Sequence, residues 1–133
     1  MLTEDDVIHA VVSYLNGKGW HIDTISLTNQ RGVDILAKKG RCSLAIETKG
    51  ATSNRHGSSR YGKPFTTSQK LDHVSCALYA AVSVVSDGKC RAGIALPSDP
   101  KHRELITRIS PALKALKIIV FLVDNDCTVR KLK

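Results

Sequence analysis

Gly32-Val33-Asp34-Ile35-Leu36 and, beyond the basic stretch Lys38-Lys39-Gly40-Arg41, Ala45-Ile46-Glu47-Thr48-Lys49-Gly50 decide how this chain is read. Residues 33 to 37 and 42 to 49 have the apolar and β-branched character of strands, and the stretch between them reads as a hairpin turn with its glycine at the tip. Whether the loop holds two residues or four, the reading sets Ala37 against Cys42 and Asp34 opposite Ala45. Side chains alternate along a strand, so Asp34, Ala45, Glu47 and Lys49 share one face. Val33, Ile35, Leu44 and Ile46 then point into a core on the other. Charges among strand-forming residues are costly unless paired or metal-bound. Asp34 and Glu47, as diagonal cross-strand neighbours about 7–8 Å apart at the backbone, can close around one hard cation. Oxygen ligands of this kind suit magnesium or manganese. Lys49 projects beside the same ion, where it can stabilise charge developing on a phosphate or orient an attacking water. The competing reading is a surface ion pair of Lys49 with Asp34 or Glu47. Against it, the apolar face is complete without these residues.

Asp34, followed by Glu47-Thr48-Lys49 at the end of the next strand, resembles the motif of the PD-(D/E)xK nucleases, the restriction-endonuclease-like superfamily. Val33 stands where the motif's name has proline. The order of elements agrees over nearly the whole chain: a helix, a three-stranded meander carrying the motif, a helix, a strand, then further elements. In size, and in the acid on its first helix, the chain is most similar to the small Holliday-junction resolvases and to Mrr-like nuclease domains. The resemblance implies an α/β fold, a mixed β-sheet flanked by helices, in a single domain over residues 1–133. It implies a Mg2+-dependent endodeoxyribonuclease, with Mn2+ able to substitute. Asp34, Glu47 and the Thr48 carbonyl would hold the metal, and Lys49 would assist water in its attack on a phosphodiester. A Holliday-junction resolvase would be the same chemistry with branched-DNA selectivity. A nucleic-acid-binding module of the same fold without turnover is the alternative from another class, and the intact Asp, Glu and Lys set argues against it.

The first helix carries a further acid. Thr3 with Asp6 three residues on resembles a capping box, and Val7, Ile8, Val11 and Leu15 form the apolar stripe. One turn before Ile8 stands Glu4, at the start of that stripe. By position it matches the family's helix glutamate, and it equally suits a first-turn carboxylate favoured by the helix dipole. The second helix, about residues 68 to 85, turns Leu71, Val74, Leu78, Ala81, Val82 and Val85 to the core. Gln69 in its first turn matches a glutamine that several branches of the superfamily set beside the lysine, yet Thr66-x-x-Gln69 also reads as a capping box.

The chain has 133 residues, 42% of them hydrophobic, with 20 Lys and Arg against 12 Asp and Glu, for a net charge of +8. That balance favours a nucleic-acid partner. The polar segment 51–65 follows the lysine directly. Arg55, His56, Arg60 and Lys63 can reach phosphates or substrate, and Tyr61 can stack on a base or sugar, so this is read as a DNA-contacting loop. Elsewhere Trp20, Ile22 and Ile25 read as packing residues of a first strand, residues 118 to 123 as a buried strand, and Arg130-Lys131-Lys133 as a basic tail. Cys42, Cys76, Cys90 and Cys127 lack metal-ligand or disulfide spacing and read as buried reduced thiols in a cytoplasmic protein. No apolar stretch is long enough to span a membrane. One such site cuts one strand, so a homodimer is expected for paired cuts. Ala77, Tyr79, Ala80 and Val84 on the second helix, with the final strand, are its expected interface.

Overall fold

The computed structural model describes residues 1–26, 33–53 and 62–133 of one α/β domain. Helix α1 (Glu4–Gly17) leads into β1 (His21–Ile25), β2 (Ile35–Lys39) and β3 (Cys42–Thr48). Helix α2 (Thr67–Asp87) crosses to β4 (Arg91–Pro97), and α3 (Pro100–Arg108) with α4 (Ser110–Ala115) crosses to β5 (Ile119–Val123), before β6 (Val129–Lys131). The strands lie side by side in chain order. β1, β2 and β3 form an antiparallel meander, β4 and β5 run parallel to β3, and β6 returns antiparallel to β5.

Two successive parallel steps in one direction place both crossovers on the same face when each is right-handed, as nearly all are. Accordingly, Val74, Ala77 and Ala81 of α2, Ile106 of α3 and Leu113 of α4 share one core with Ala92, Ile94, Leu96, Val120 and Leu122. Helix α1 covers the other face, packing Val7, Ile8, Val11 and Leu15 against Ile35, Leu44, Ile46, Ala95, Phe121 and Val123. Each such side chain removed from water contributes roughly 1.5–3 kcal/mol. Beyond the exposed Arg91, β4 is buried along its length, as is most of β5, which is why 92–97 and 119–123 carry no polar alternation.

The helix ends follow their sequence signals. Thr3 and Asp6 form the expected capping box, as do Thr66 and Gln69. Asp99 caps α3 ahead of Pro100, and Gly88, at φ 72°, ends α2 in the left-handed conformation that glycine adopts without strain.

Several expectations are corrected. The hairpin turns on two residues, Gly40 and Arg41, so Lys39 faces Cys42 and Ala37 faces Leu44. The register thus differs by two from the one expected, and an even shift leaves every side chain on its original face. Leu71 is half exposed while Ala77 is fully buried: the helix turns its Val74-Ala77-Ala81 line to the sheet. Ala77 is therefore core, not interface. The final apolar strand is interior too, because Val129–Lys131, which takes in Arg130 and Lys131 of the expected tail, adds β6 at its edge. Trp20 and Ile22 pack on the core as expected, but Ile25 is exposed. Cys42, Cys76 and Cys127 are exposed and Cys90 is only half-buried, so the thiols are not the buried set that was expected. Among the described residues no helix is long and apolar enough to cross a membrane.

Candidate active site

The residues of the motif meet where β3 ends. Asp34 immediately precedes β2, Glu47 and Thr48 close β3, and Lys49 follows it, its amide donating to the Ala95 carbonyl of β4 at 3.0 Å. The segment beyond the lysine then zips onto the segment before α1. The Ala51 amide donates to the Leu2 carbonyl at 2.8 Å, and Thr3 bridges Thr52 in parallel. This short ladder brings Glu4, the first residue of α1, to the end of β3.

Gly50 permits the approach. A Cβ at this position would lie 2.4 Å from the Glu4 amide nitrogen and 2.7 Å from the Thr3 carbonyl carbon, both of them backbone atoms that have no rotamer to yield. Gly50→Ala is expected to push the start of α1 away, costing about 1–3 kcal/mol of stability and displacing Glu4. A melting curve checks the first effect, and a fall in divalent-ion affinity measured by calorimetry checks the second. The sequence carried a signal for this residue, a glycine directly after the motif lysine.

Asp34 is buried and its Oδ2 accepts from two groups of Thr48, the amide at 2.8 Å and the hydroxyl at 3.0 Å. Its own amide donates to the Ile46 carbonyl at 3.1 Å. The corrected register ends at Ile35 opposite Ile46, so Asp34 and Glu47 are the next residue on either strand. In an extended strand the N–H and C=O of one residue project to the same edge. The Thr48 carbonyl therefore lies on the edge that Asp34 occupies.

Glu4 and Glu47 flank Asp34, and both carboxyls are pushed up to about 7. Burial is the largest cause, followed by the negative charge of Asp34. The Lys49 ammonium, 3.8 Å from Glu47 Oε1, acts in the opposite direction. When protonated, each glutamic acid also donates to Asp34, which further favours the neutral form. Both groups ionise near 4.5 in the unfolded chain. Below that pH the two states carry the same protons, and through the window from about 4.5 to about 7 the fold holds them more tightly, so stability falls as pH rises. His73, whose pKa is lowered by burial and then by the charges of Lys49 and His102, works the other way around its ordinary value of 6.5. A comparison of wild type with the Glu4→Gln/Glu47→Gln double variant isolates the carboxyls. In metal-free buffer the variant is expected to gain on wild type by roughly 5 °C in Tm between pH 5 and pH 8.

Two carboxylates and a carbonyl are hard oxygen donors, and crowding that holds carboxyls half-protonated near neutrality is what a divalent cation relieves. Among the described residues no three His, Cys, Asp or Glu side chains form a ready-made cage. Magnesium does not require one, since it is commonly held by one or two carboxylates with water and substrate phosphate completing the shell. The donor set fits such an ion and does not fit zinc.

The other expected site residues divide. The Gln69 Oε1 accepts from the Thr66 amide at 2.8 Å, so its carbonyl serves the α2 cap. Lys63 is exposed on the approach to α2. Arg55, His56, Arg60 and Tyr61 lie outside the described residues. A polar knot that the sequence did not suggest ties α2 to α3 beside the site. Asp99 Oδ2 lies 2.6 Å from Nδ1 of the fully buried His102, and Lys70 Nζ lies 3.4 Å from Asp99 Oδ1. Burial alone would raise the Asp99 carboxyl, but the His102 side-chain and backbone hydrogen bonds and the Lys70 charge hold it down at about 2. His73 stands nearby, its ring edge-on to Phe65 at 4.6 Å.

No protein-family model matches the chain, and no curated protein matches it either. Among solved structures, it is similar to the crystal structure of a fdxN element excision controlling factor protein from Anabaena variabilis, at 17% identity and a TM-score of 0.52, over 97% of this chain and 99% of that one. It is also similar to Pyrococcus furiosus SfsA in complex with Ca2+, at 15% identity and a TM-score of 0.39, over 96% of this chain and 58% of that one. The Anabaena likeness spans both chains almost completely, and it establishes that this chain has the same single-domain α/β architecture.

Proposed function

We propose that this chain is a Mg2+-dependent endodeoxyribonuclease of the PD-(D/E)xK kind, with Mn2+ able to substitute. The observation that carries the reading is the convergence of Asp34, Glu47, Glu4 and Lys49 on one end of the sheet, with two of the carboxyls raised to about 7. A structural ion pair needs one acid for one base, and here three acids crowd one lysine in a half-buried place, at a cost to stability that a cation would offset. Asp34, Glu47 and the Thr48 carbonyl would hold the ion, whose charge neutralises the phosphate and makes water more acidic. Thr48 holds Asp34 in place through two hydrogen bonds to Oδ2. Lys49 orients the attacking water and stabilises charge developing on the phosphoryl oxygens. Water adds to phosphorus and one P–O ester bond breaks, leaving a phosphate monoester on one fragment and a hydroxyl on the other.

The net charge of +8 supports a polyanionic substrate. A cytoplasmic setting belongs to the same proposal, as do two copies working together on paired strands. On α2, Tyr79 is 78% exposed and Leu71 half exposed, one helical face apart from the buried Ala77 line. Light scattering with and without DNA tests the dimer, and a 14.5 kDa particle in both states would exclude it. The chemistry is tested by incubating the protein with linear, nicked and four-way DNA in Mg2+ or Mn2+. Cleavage that chelation stops is the expected result, and preference for the four-way substrate would mark a junction resolvase. Binding without cleavage of any shape would overturn the enzyme reading in favour of a binding module.

A further inference from the structure

Helix α1 spans two sites of opposite charge. Its first residue, Glu4, joins the carboxylates, and 14 residues later, about 20 Å along the axis at 1.5 Å per residue, its C-terminal end reaches a pocket of about 270 Å3. The pocket lies where β3, β4 and β5 begin. Lys18, Lys39, Arg91 and Lys131 line it, and among the described residues no acid does. Its apolar part includes Tyr14, Trp20 and Phe121.

The fold explains part of this. Lys39 Nζ donates to the Lys18 carbonyl at 2.7 Å, satisfying a helix C-terminal acceptor. Lys18 Nζ lies 5.5 Å from the centre of the Tyr14 ring. No comparable structural use accounts for Arg91 and Lys131. Among the described residues none of the four cations is in an ion pair. Four like charges around one concavity repel each other and focus a positive potential into it. Such a rim selects an anion, and the half-buried rings of Tyr14 and Trp20 beneath it select something flat.

We propose that this pocket binds a nucleotide unit, its phosphate held by Arg91, Lys131, Lys39 and Lys18 and its base set against Trp20 and Tyr14. A phosphate with a base attached is the ligand class that matches a cationic rim over aromatic rings. The volume suits one such unit and excludes a length of duplex, whose bases are in any case stacked away. The unit belongs either to a single-stranded nucleic acid or to a free nucleotide. This site is separate from the carboxylates and needs neither metal nor cleavage, so its failure and that of the nuclease reading are distinguishable.

Trp20 is the chain's only tryptophan, so its fluorescence reports on this pocket specifically. The full-length chain, in EDTA, is titrated with single-stranded oligodeoxyadenylate, adenosine monophosphate and inorganic phosphate. Saturable quenching by the first two, weakened by salt, is expected. Arg91→Gln with Lys131→Gln is expected to weaken it at least about tenfold, one decade being the loss of two charge-assisted phosphate contacts. Lys114→Glu on the opposite face removes the same two units from the net charge of +8 and is expected to leave the affinity unchanged. All three side chains are exposed. If the double variant melts early, Lys131→Gln alone, at the sheet edge, carries the same test. Tighter binding of the oligonucleotide than of the monophosphate assigns a strand as the source, and equal binding assigns a free nucleotide. The proposal is overturned by the absence of saturable quenching, by undiminished binding in the pocket variants, or by inorganic phosphate binding as tightly as the monophosphate.

Discussion

Asp34→Asn is expected to remove DNA cleavage by a factor on the order of 10³ or more and to weaken Mn2+ binding about 100-fold or more, while the fold survives. Asp34 is the centre of the site: its Oδ2 is anchored by Thr48 at 2.8 and 3.0 Å, and its charge raises both Glu4 and Glu47. An asparagine keeps a carbonyl oxygen for the Thr48 donors, so the hairpin end need not move. What is lost is the charge. With it goes the second-largest cause holding the two glutamates near 7, so both fall toward their ordinary range and the metal-free protein is relieved of repulsion. Its Tm above neutral pH is therefore expected to equal or exceed that of wild type. This combination separates a metal ligand from a structural carboxylate, whose two bonds from Thr48 would weaken on loss of the charge and lower the Tm. Calorimetry with Mn2+ beside a melting curve decides it. Unchanged ion affinity would remove Asp34, and with it the proposed site.

Lys49→Ala is expected to cut cleavage by about 10²–10³-fold and to alter DNA affinity by less than about threefold. The lysine makes one of many contacts available to a chain of charge +8, and one phosphate contact is a small share of a basic interface. Its action on the developing transition-state charge is not shared by Glu4, Asp34 or Glu47, the acids it stands among. Losing the ammonium also removes the influence that lowers Glu4 and Glu47, so both are expected to climb further. The residual activity of the variant should accordingly require a higher pH than that of wild type. A pH profile of single-turnover cleavage, with filter binding on the same substrate, tests both halves. A large loss of affinity with cleavage per bound complex unchanged would reassign Lys49 to binding.

Local rules were enough for much of this molecule. The alternation of Asp34, Ala45, Glu47 and Lys49 against Ile35, Leu44 and Ile46 was legible because a strand's period is two, and it survived a register error of two residues for that same reason. Both capping boxes, the Asp99-Pro100 helix start and the α-β order followed from side chains that bond their own backbone within three or four residues. Composition pointed to a basic single domain. Tertiary structure decided the rest. Which line of α2 faces the sheet depended on how closely the helix lies, and small Ala77 and Ala81 allowed an approach that left Leu71 outside. β6 exists because β5 offers an open edge, and its three residues carry no pattern long enough to read. Whether Glu4 was a helix-dipole carboxylate or part of the acidic cluster depended on the ladder from Ala51 and Thr52 to Leu2 and Thr3, across a gap that only Gly50 can close. Raised carboxyl pKa values belong to that meeting of distant segments, since burial and neighbouring charge are properties of a folded place and not of a residue.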